Sequence, residues 1–233
     1  MLIDAVVVDL DDTLYCQDEW LTGAWLEVAQ AAPPTVSRGD LHRALVSIAA
    51  EGSDRGHIID RALALVRASD VDVAPLLRAF RAHAPLRLTP YDGVTFALGQ
   101  LRAHFRLGLV TDGNPMIQRA KLRALGLDTA FDAVVFSDDL GRDHRKPHPA
   151  PFIAAARELG VDPSRCIYVG DRPDKDVAGA DAAGYLGAIR VISGEYRDVP
   201  SLSCLASVDG FAAAALVIDR LSSRVRETHR SSS

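Results

Sequence analysis

The sequence predicts an α/β fold, a Rossmann-like doubly wound parallel sheet carrying an inserted all-helical module, and three observations predict it. Short β-branched apolar runs recur along the chain, as buried parallel strands require, because Val and Ile pack well on a pleated surface covered on both faces. From position 105 onward these runs alternate with helical stretches, the pattern of a parallel sheet flanked by helices. Between the first run, Val6-Val7-Val8, and the second, roughly 70 residues read as purely helical. One strand followed only by helices cannot bury itself, so the first strand belongs to the later sheet and the helical block is an insertion. The expected boundaries are 1–15 with 86–222 for the core and 16–85 for the insert; the polar tail 223–233, ending in three serines, reads as disordered.

The elements follow in order. Residues 19–30 set Trp20, Trp25, Leu26 and Val28 at helical spacing until Pro33-Pro34 stops them. Ser37-Arg38-Gly39-Asp40 offers a capping-box start for a second helix with Leu41, Leu45 and Ile48. A loop over 51–56 precedes helices at 58–68 and 73–83. In the second half, strands are expected at 107–111, 133–136, 166–170 and 186–191, with helices at 116–125, 149–159 and 175–183 between and after them.

Composition bounds the function. With 233 residues, 48% hydrophobic and 24% charged, the chain can bury a full core. A net charge of −5 without a basic stripe argues against a nucleic-acid surface. Cys16, Cys166 and Cys204 are far apart and lack metal-ligand spacing, which suggests neither disulfides nor zinc and fits a reducing cytoplasm. No stretch approaches the roughly 18 consecutive apolar residues of a membrane helix, and the first strand begins too soon for a signal peptide. A soluble, cytoplasmic protein is expected, with no membrane partner; monomer and homodimer both remain open.

In an open parallel sheet the ligand sits outside the carboxyl ends of the strands. Four such places carry chemistry: Asp9-Leu10-Asp11-Asp12-Thr13, Thr111-Asp112-Gly113-Asn114, the loop to Lys146-Pro147, and Gly170-Asp171-Arg172-Pro173-Asp174-Lys175-Asp176. Asp9, Asp11 and Asp12 crowd like charges that resist joint ionisation, and a hard divalent cation is their natural compensator. Taken singly, these segments read as an acidic turn, a helix cap, a surface lysine and a strand exit. Taken together at one edge, carboxylates from two strands, a hydroxyl and a lysine are the parts that hold a magnesium ion and a phosphoryl group.

The set Asp9-x-Asp11-x-Thr13, Thr111, Lys146 and Gly170-Asp171-(x)4-Asp176 resembles the four motifs of the haloacid dehalogenase superfamily, in its phosphatase branch. The spacing between the first two motifs is similar to that of members with a helical C1-type cap after the first strand, the IA-like arrangement. The resemblance extends to about Ile192. It implies that Asp9 is the nucleophile and forms an aspartyl-phosphate, and that Asp11 is the general acid and then base. It also implies that Thr111 donates to the phosphoryl oxygens and that Lys146 neutralises charge on phosphate and Asp9. Mg²⁺ would be held by the Asp9 side chain, the Asp11 carbonyl and Asp171, with Asp176 behind them orienting Lys146 or a metal-bound water. Backbone amides at Leu10 and along Asp112, Gly113 and Asn114 would cradle the phosphate, and Arg172 would meet the substrate or pair with Asp174.

The presence of Asp11 separates the chain from dehalogenases, whose leaving halide needs no proton, and points to a small phosphate monoester such as a sugar phosphate or nucleotide. The cap would supply specificity, with one tryptophan toward a cleft or both in a core. Arg55 and His57 would reach the leaving group or simply stay solvated. A phosphomutase of the β-phosphoglucomutase type and a non-catalytic module of the same fold are the other readings.

Overall fold

No residue of the first strand, β1 (Ala5–Val8), is exposed, so both of its faces are covered, as a central parallel strand requires. It pairs on one side with β2 (Arg106–Thr111) and on the other with β4 (Cys166–Gly170). Beyond β2 lies β3 (Ala133–Phe136); beyond β4 lie β5 (Gly187–Val191) and β6 (Ala206–Val208). The order β3-β2-β1-β4-β5-β6 is parallel throughout. Val8 stands opposite both Leu109 and Val169, so Asp9, Thr111 and Asp171 emerge within two residues of one level at the carboxyl edge. The strand order reverses at β1, which is where such sheets open a crevice for ligands.

The computed structural model describes residues 3–52, 56–200 and 203–230. Two units make up the chain, Met1–Cys16 with Thr89–Ser233, and Gln17–Leu88. In the first, α7 (Ala150–Leu159) packs on β1, β2 and β3, where Phe152, Ala155 and Leu159 meet Val7, Val110 and Tyr168 in one core. Helices α5 (Val94–Arg102) and α9 (Phe211–Arg230) pack on each other and against β2 and β5 respectively. After β2 comes α6 (Pro115–Ala124), capped by Asn114, whose side-chain oxygen accepts the Met116 N–H at 2.9 Å. A π-type turn over Pro173–Val177 leads into α8 (Ala178–Ala182).

Helix α9 runs over Phe211–Arg230, across most of the segment 223–233, and 231–233 lie outside the described residues. Phe211, Ala214, Ala215 and Ile218 recur at helical spacing and are buried. That stripe nucleates the helix, and elongation then adds one hydrogen bond per residue through the polar remainder.

The second unit holds α1 (Gln17–Gln30), α2 (Arg38–Ala49), α3 (Ile58–Leu65) and α4 (Val73–Ala82). Ser37 caps α2 by accepting the Asp40 N–H at 3.4 Å, and Asp72 caps α4. Both tryptophans are core: Trp20 meets Phe80 edge-on with centroids 5.2 Å apart, and Trp25 lies 4.7 Å from the same ring. Arg55 lies outside the described residues. His57 is exposed, precedes α3 in a left-handed conformation, and sits 3.7 Å from Asp60. The insertion leaves and rejoins the sheet unit at one place, where the Tyr91 N–H donates to Leu14 O at 2.9 Å and Tyr15 bridges Pro90. Among the described residues no helix is long and apolar enough to cross a membrane.

Candidate active site

Lys146 is the hub of the carboxyl edge. Its Nζ donates to Asp9 Oδ1 at 2.5 Å, to Asp176 Oδ1 at 2.7 Å and, more weakly, to Tyr168 Oη at 3.4 Å. Burial alone would lower the pKa of this lysine, but Asp176 and then Asp9 push it well above the ordinary value, so the ammonium persists. Its backbone is fixed as well, since the Lys146 N–H donates to Asp112 Oδ1 at 3.1 Å. Asp176 reaches this position because residue 170 is glycine: a Cβ there would lie 2.4 Å from Asp176 Oδ2. The Arg172 N–H secures that oxygen at 2.9 Å.

Asp9, Asp171 and Asp176 each offer an oxygen, and these lie within 4.8 Å of one another, all buried. Burial, then Asp176 and Asp9, lift Asp171 to about 9, and burial lifts Asp9 to about 7 against the pull of Lys146. One ammonium cannot compensate three such groups. A hard, oxygen-only donor set with surplus negative charge fits a magnesium-like divalent cation. The Asp171 carbonyl is tied down by Arg190 Nε at 3.1 Å.

Asp11 faces a different set of partners. Its Oδ1 accepts from Tyr15 Oη and Lys121 Nζ, both at 2.6 Å, and its Oδ2 accepts from Gln118 Nε2 at 2.7 Å. Burial raises its pKa, but Lys121 foremost, with Tyr15 and Gln118, outweighs that and holds the carboxyl below the usual range. Gln118 Nε2 also donates to Thr111 Oγ1 at 2.6 Å. The sequence motifs gave Gln118 and Lys121 no place in the site. The available signal was their spacing: with Leu122 and Leu125 they form the buried stripe of α6, where a lysine is out of place.

The side chains at the positions expected to cradle the substrate have partners within the protein. Asp112 Oδ1 accepts from Ser137 Oγ at 2.6 Å as well as from Lys146, the Gly113 amide bonds Asp138, and Asn114 caps α6. Leu10 is buried and its carbonyl closes a turn with the Leu14 N–H at 3.0 Å. The Arg172 guanidinium holds Asp174 Oδ2 at 2.8 Å and lies 3.9 Å over the Tyr196 ring. Thr13 Oγ1 approaches Asp9 Oδ2 at 3.5 Å. Asp12 adopts φ 57° and its carbonyl accepts from Ser193 Oγ at 2.6 Å.

This edge, with an aspartate two residues before another, a buried lysine and a distal pair of acids, is matched by a family model. The haloacid dehalogenase-like hydrolase model covers residues 3–184, and the chain belongs to that family. Within it the chain is a phosphatase. It is 38% identical over 207 residues to a glyceraldehyde 3-phosphate phosphatase of Methanopyrus kandleri, covering 85% of this chain and 88% of the relative. A protein of the same description from Methanocaldococcus jannaschii is 30% identical over 205 residues, covering 85% of this chain and 89% of that one. Among solved structures, a HAD phosphatase from Thermococcus onnurineus superposes with a TM-score of 0.63 at 23% identity, covering 93% of this chain and 98% of its own, a likeness of fold.

Proposed function

We propose that the chain is a Mg²⁺-dependent phosphatase of small sugar phosphates that works through an aspartyl-phosphate on Asp9, in the cytoplasm. The observation that carries this reading is the buried cluster of Asp9, Asp171 and Asp176 around the Lys146 ammonium. Asp9 attacks phosphorus through a carboxylate oxygen, needing no prior deprotonation. Lys146 offsets the charge gathering on the phosphoryl oxygens and Asp9, and the Thr111 hydroxyl and the amides after Asp9 and Thr111 donate to those oxygens. The ester oxygen leaves with a proton from Asp11, which must take that proton up as the substrate binds, since Lys121 holds its carboxyl below the usual range in the free protein. Asp11 then takes a proton from water, which attacks the phosphoryl-aspartate and releases inorganic phosphate. Asp9, the Asp11 carbonyl and Asp171 would hold a magnesium ion, which would supply further neutralisation of phosphoryl charge. The glyceraldehyde 3-phosphate phosphatases it resembles make triose phosphates the first substrates to try. The helical unit, 17–88, is the specificity cap of this reading.

The test is phosphate release by purified protein with magnesium across triose, pentose and hexose phosphates, polyol phosphates and nucleotides. Release from a sugar phosphate, abolished by a chelator, is expected. No release from any ester, or isomerisation of a hexose phosphate without release, overturns the reading.

The raised carboxyl groups also set a pH dependence. In the metal-free protein at neutral pH Asp171, at about 9, is protonated and Asp9, at about 7, is about half protonated, and cation binding must displace these protons, which also leaves Asp9 ionised for attack. Magnesium affinity by calorimetry is therefore expected to tighten steadily from pH 6 to pH 9, with proton release on binding. An affinity flat over that window would mean that the carboxylates are already ionised.

A further inference from the structure

Gln118 and Lys121 lie one turn apart on α6 and are 2% and 3% exposed. A lysine so deeply buried is costly without a carboxylate, and Lys121 holds Asp11 at 2.6 Å. Tyr15, the third donor to Asp11, belongs to the same short segment and moves with it. Lys121 and Gln118 come from another element, more than a hundred residues away in sequence. Gln118 divides one amide nitrogen between Asp11 Oδ2 and Thr111 Oγ1, which fixes the carboxylate against the end of β2.

We propose that Lys121 and Gln118 are positioning residues that hold the Asp11 side chain in the orientation needed for proton transfer to the leaving oxygen and from water. The proposal rests on the phosphatase reading above. Asp11 serves both halves of the reaction, so an error of about 1 Å in its oxygens costs on the order of 100-fold. Neither α6 residue need touch substrate for that loss to appear.

The experiment compares Lys121→Met and Gln118→Leu on two esters, glycerol phosphate, whose alcohol needs a proton to leave, and p-nitrophenyl phosphate, whose phenolate does not. For Lys121→Met the kcat on the alkyl ester is expected to fall about 100-fold with KM nearly unchanged. On the aryl ester, single-turnover transfer to the enzyme stays near wild type while steady-state turnover slows, leaving a burst of nitrophenolate. Gln118→Leu, which removes no charge, shows the same pattern at about 10-fold, and it carries the test should Lys121→Met fail to melt cooperatively. In an Asp11→Asn background, either substitution is expected to cost less than about twofold more.

Equal loss of the transfer step on both esters overturns the proposal. So does a rise in KM at constant kcat, or a full additional loss in the Asp11→Asn background. Failure of the underlying reading looks different: Asp9→Asn would keep releasing phosphate, whatever the α6 variants do.

Discussion

Asp9→Asn is expected to lower phosphate release by about 10⁴-fold or more while leaving the fold intact, because it removes the attacking carboxylate together with the charge that Asp9 offers Lys146 and magnesium. The amide is isosteric, and its oxygen still accepts from Lys146, which sits 2.5 Å from Asp9 Oδ1. A second readout reports on the same centre without turnover. Beryllium fluoride with magnesium mimics the phosphoryl-aspartate. At about 100 times its dissociation constant a ligand of the folded state contributes roughly 2.7 kcal/mol, and at 2–4 °C per kcal/mol that raises Tm by about 5–10 °C. The wild type is expected to show this shift and Asp9→Asn none. Retained activity in the variant, or the same shift in both proteins, would remove Asp9 from the centre of the mechanism.

Lys146→Met is expected to have the largest effect on stability. The lysine side chain is 4% exposed and pairs with Asp9 and Asp176, themselves 7% and 1% exposed. Removing one member of a buried ionic set leaves the others without counter-charge, at a cost of about 3–5 kcal/mol. For a chain of this size that corresponds to a Tm lower by roughly 6–20 °C.

The sign of the pH effect follows from the carboxyl groups. Folded pKa values raised above their unfolded ones contribute stability that is complete below the unfolded values, near pH 4, and lost as pH climbs through the folded ones. Asp9 and Asp171 are already at about 7 and about 9 with the lysine present. The deficit of Lys146→Met should therefore be smallest near pH 5 and widen toward pH 9, and magnesium should recover part of it. Melting curves across that range check the prediction; an unchanged Tm at pH 8 would show that Lys146 is not what holds these acids together. Activity is expected to fall by about 10³-fold, as for loss of one oxyanion donor.

The strands were legible because burial on both faces leaves a dense β-branched signature, as in Val6-Val7-Val8 and Ala133-Val134-Val135-Phe136. The strand-end residues were legible for a related reason: a parallel sheet brings its carboxyl ends together, so Asp9, Thr111 and Asp171 meet although far apart in sequence. Less legible were α5, β6 and α9. Gly99 sits inside α5, β6 is three residues long with none buried, and the polar end of α9 resembles a tail.

Within the site, Lys121 and Gln118 escaped because their contacts with Asp11 depend on how α6 is rotated against the sheet. The backbone amides of Asp112 and Asn114 remain the ones proposed for the phosphate; their side chains were not placed in advance, since short polar side chains at a strand exit readily bond nearby groups. Here they brace the Lys146 loop and cap α6.

The seam at Leu14, Tyr15, Pro90 and Tyr91 bears on the history open to this chain. Because the sheet unit ties both ends of the insertion with its own bonds, closing the intervening segment is already accomplished whatever that segment contains. Each doubling of such a loop adds only about 0.6 kcal/mol of closure entropy. A helical block of another size or surface can therefore be exchanged at this point without redesigning the residues that handle phosphate. Selectivity and chemistry can drift independently across that seam.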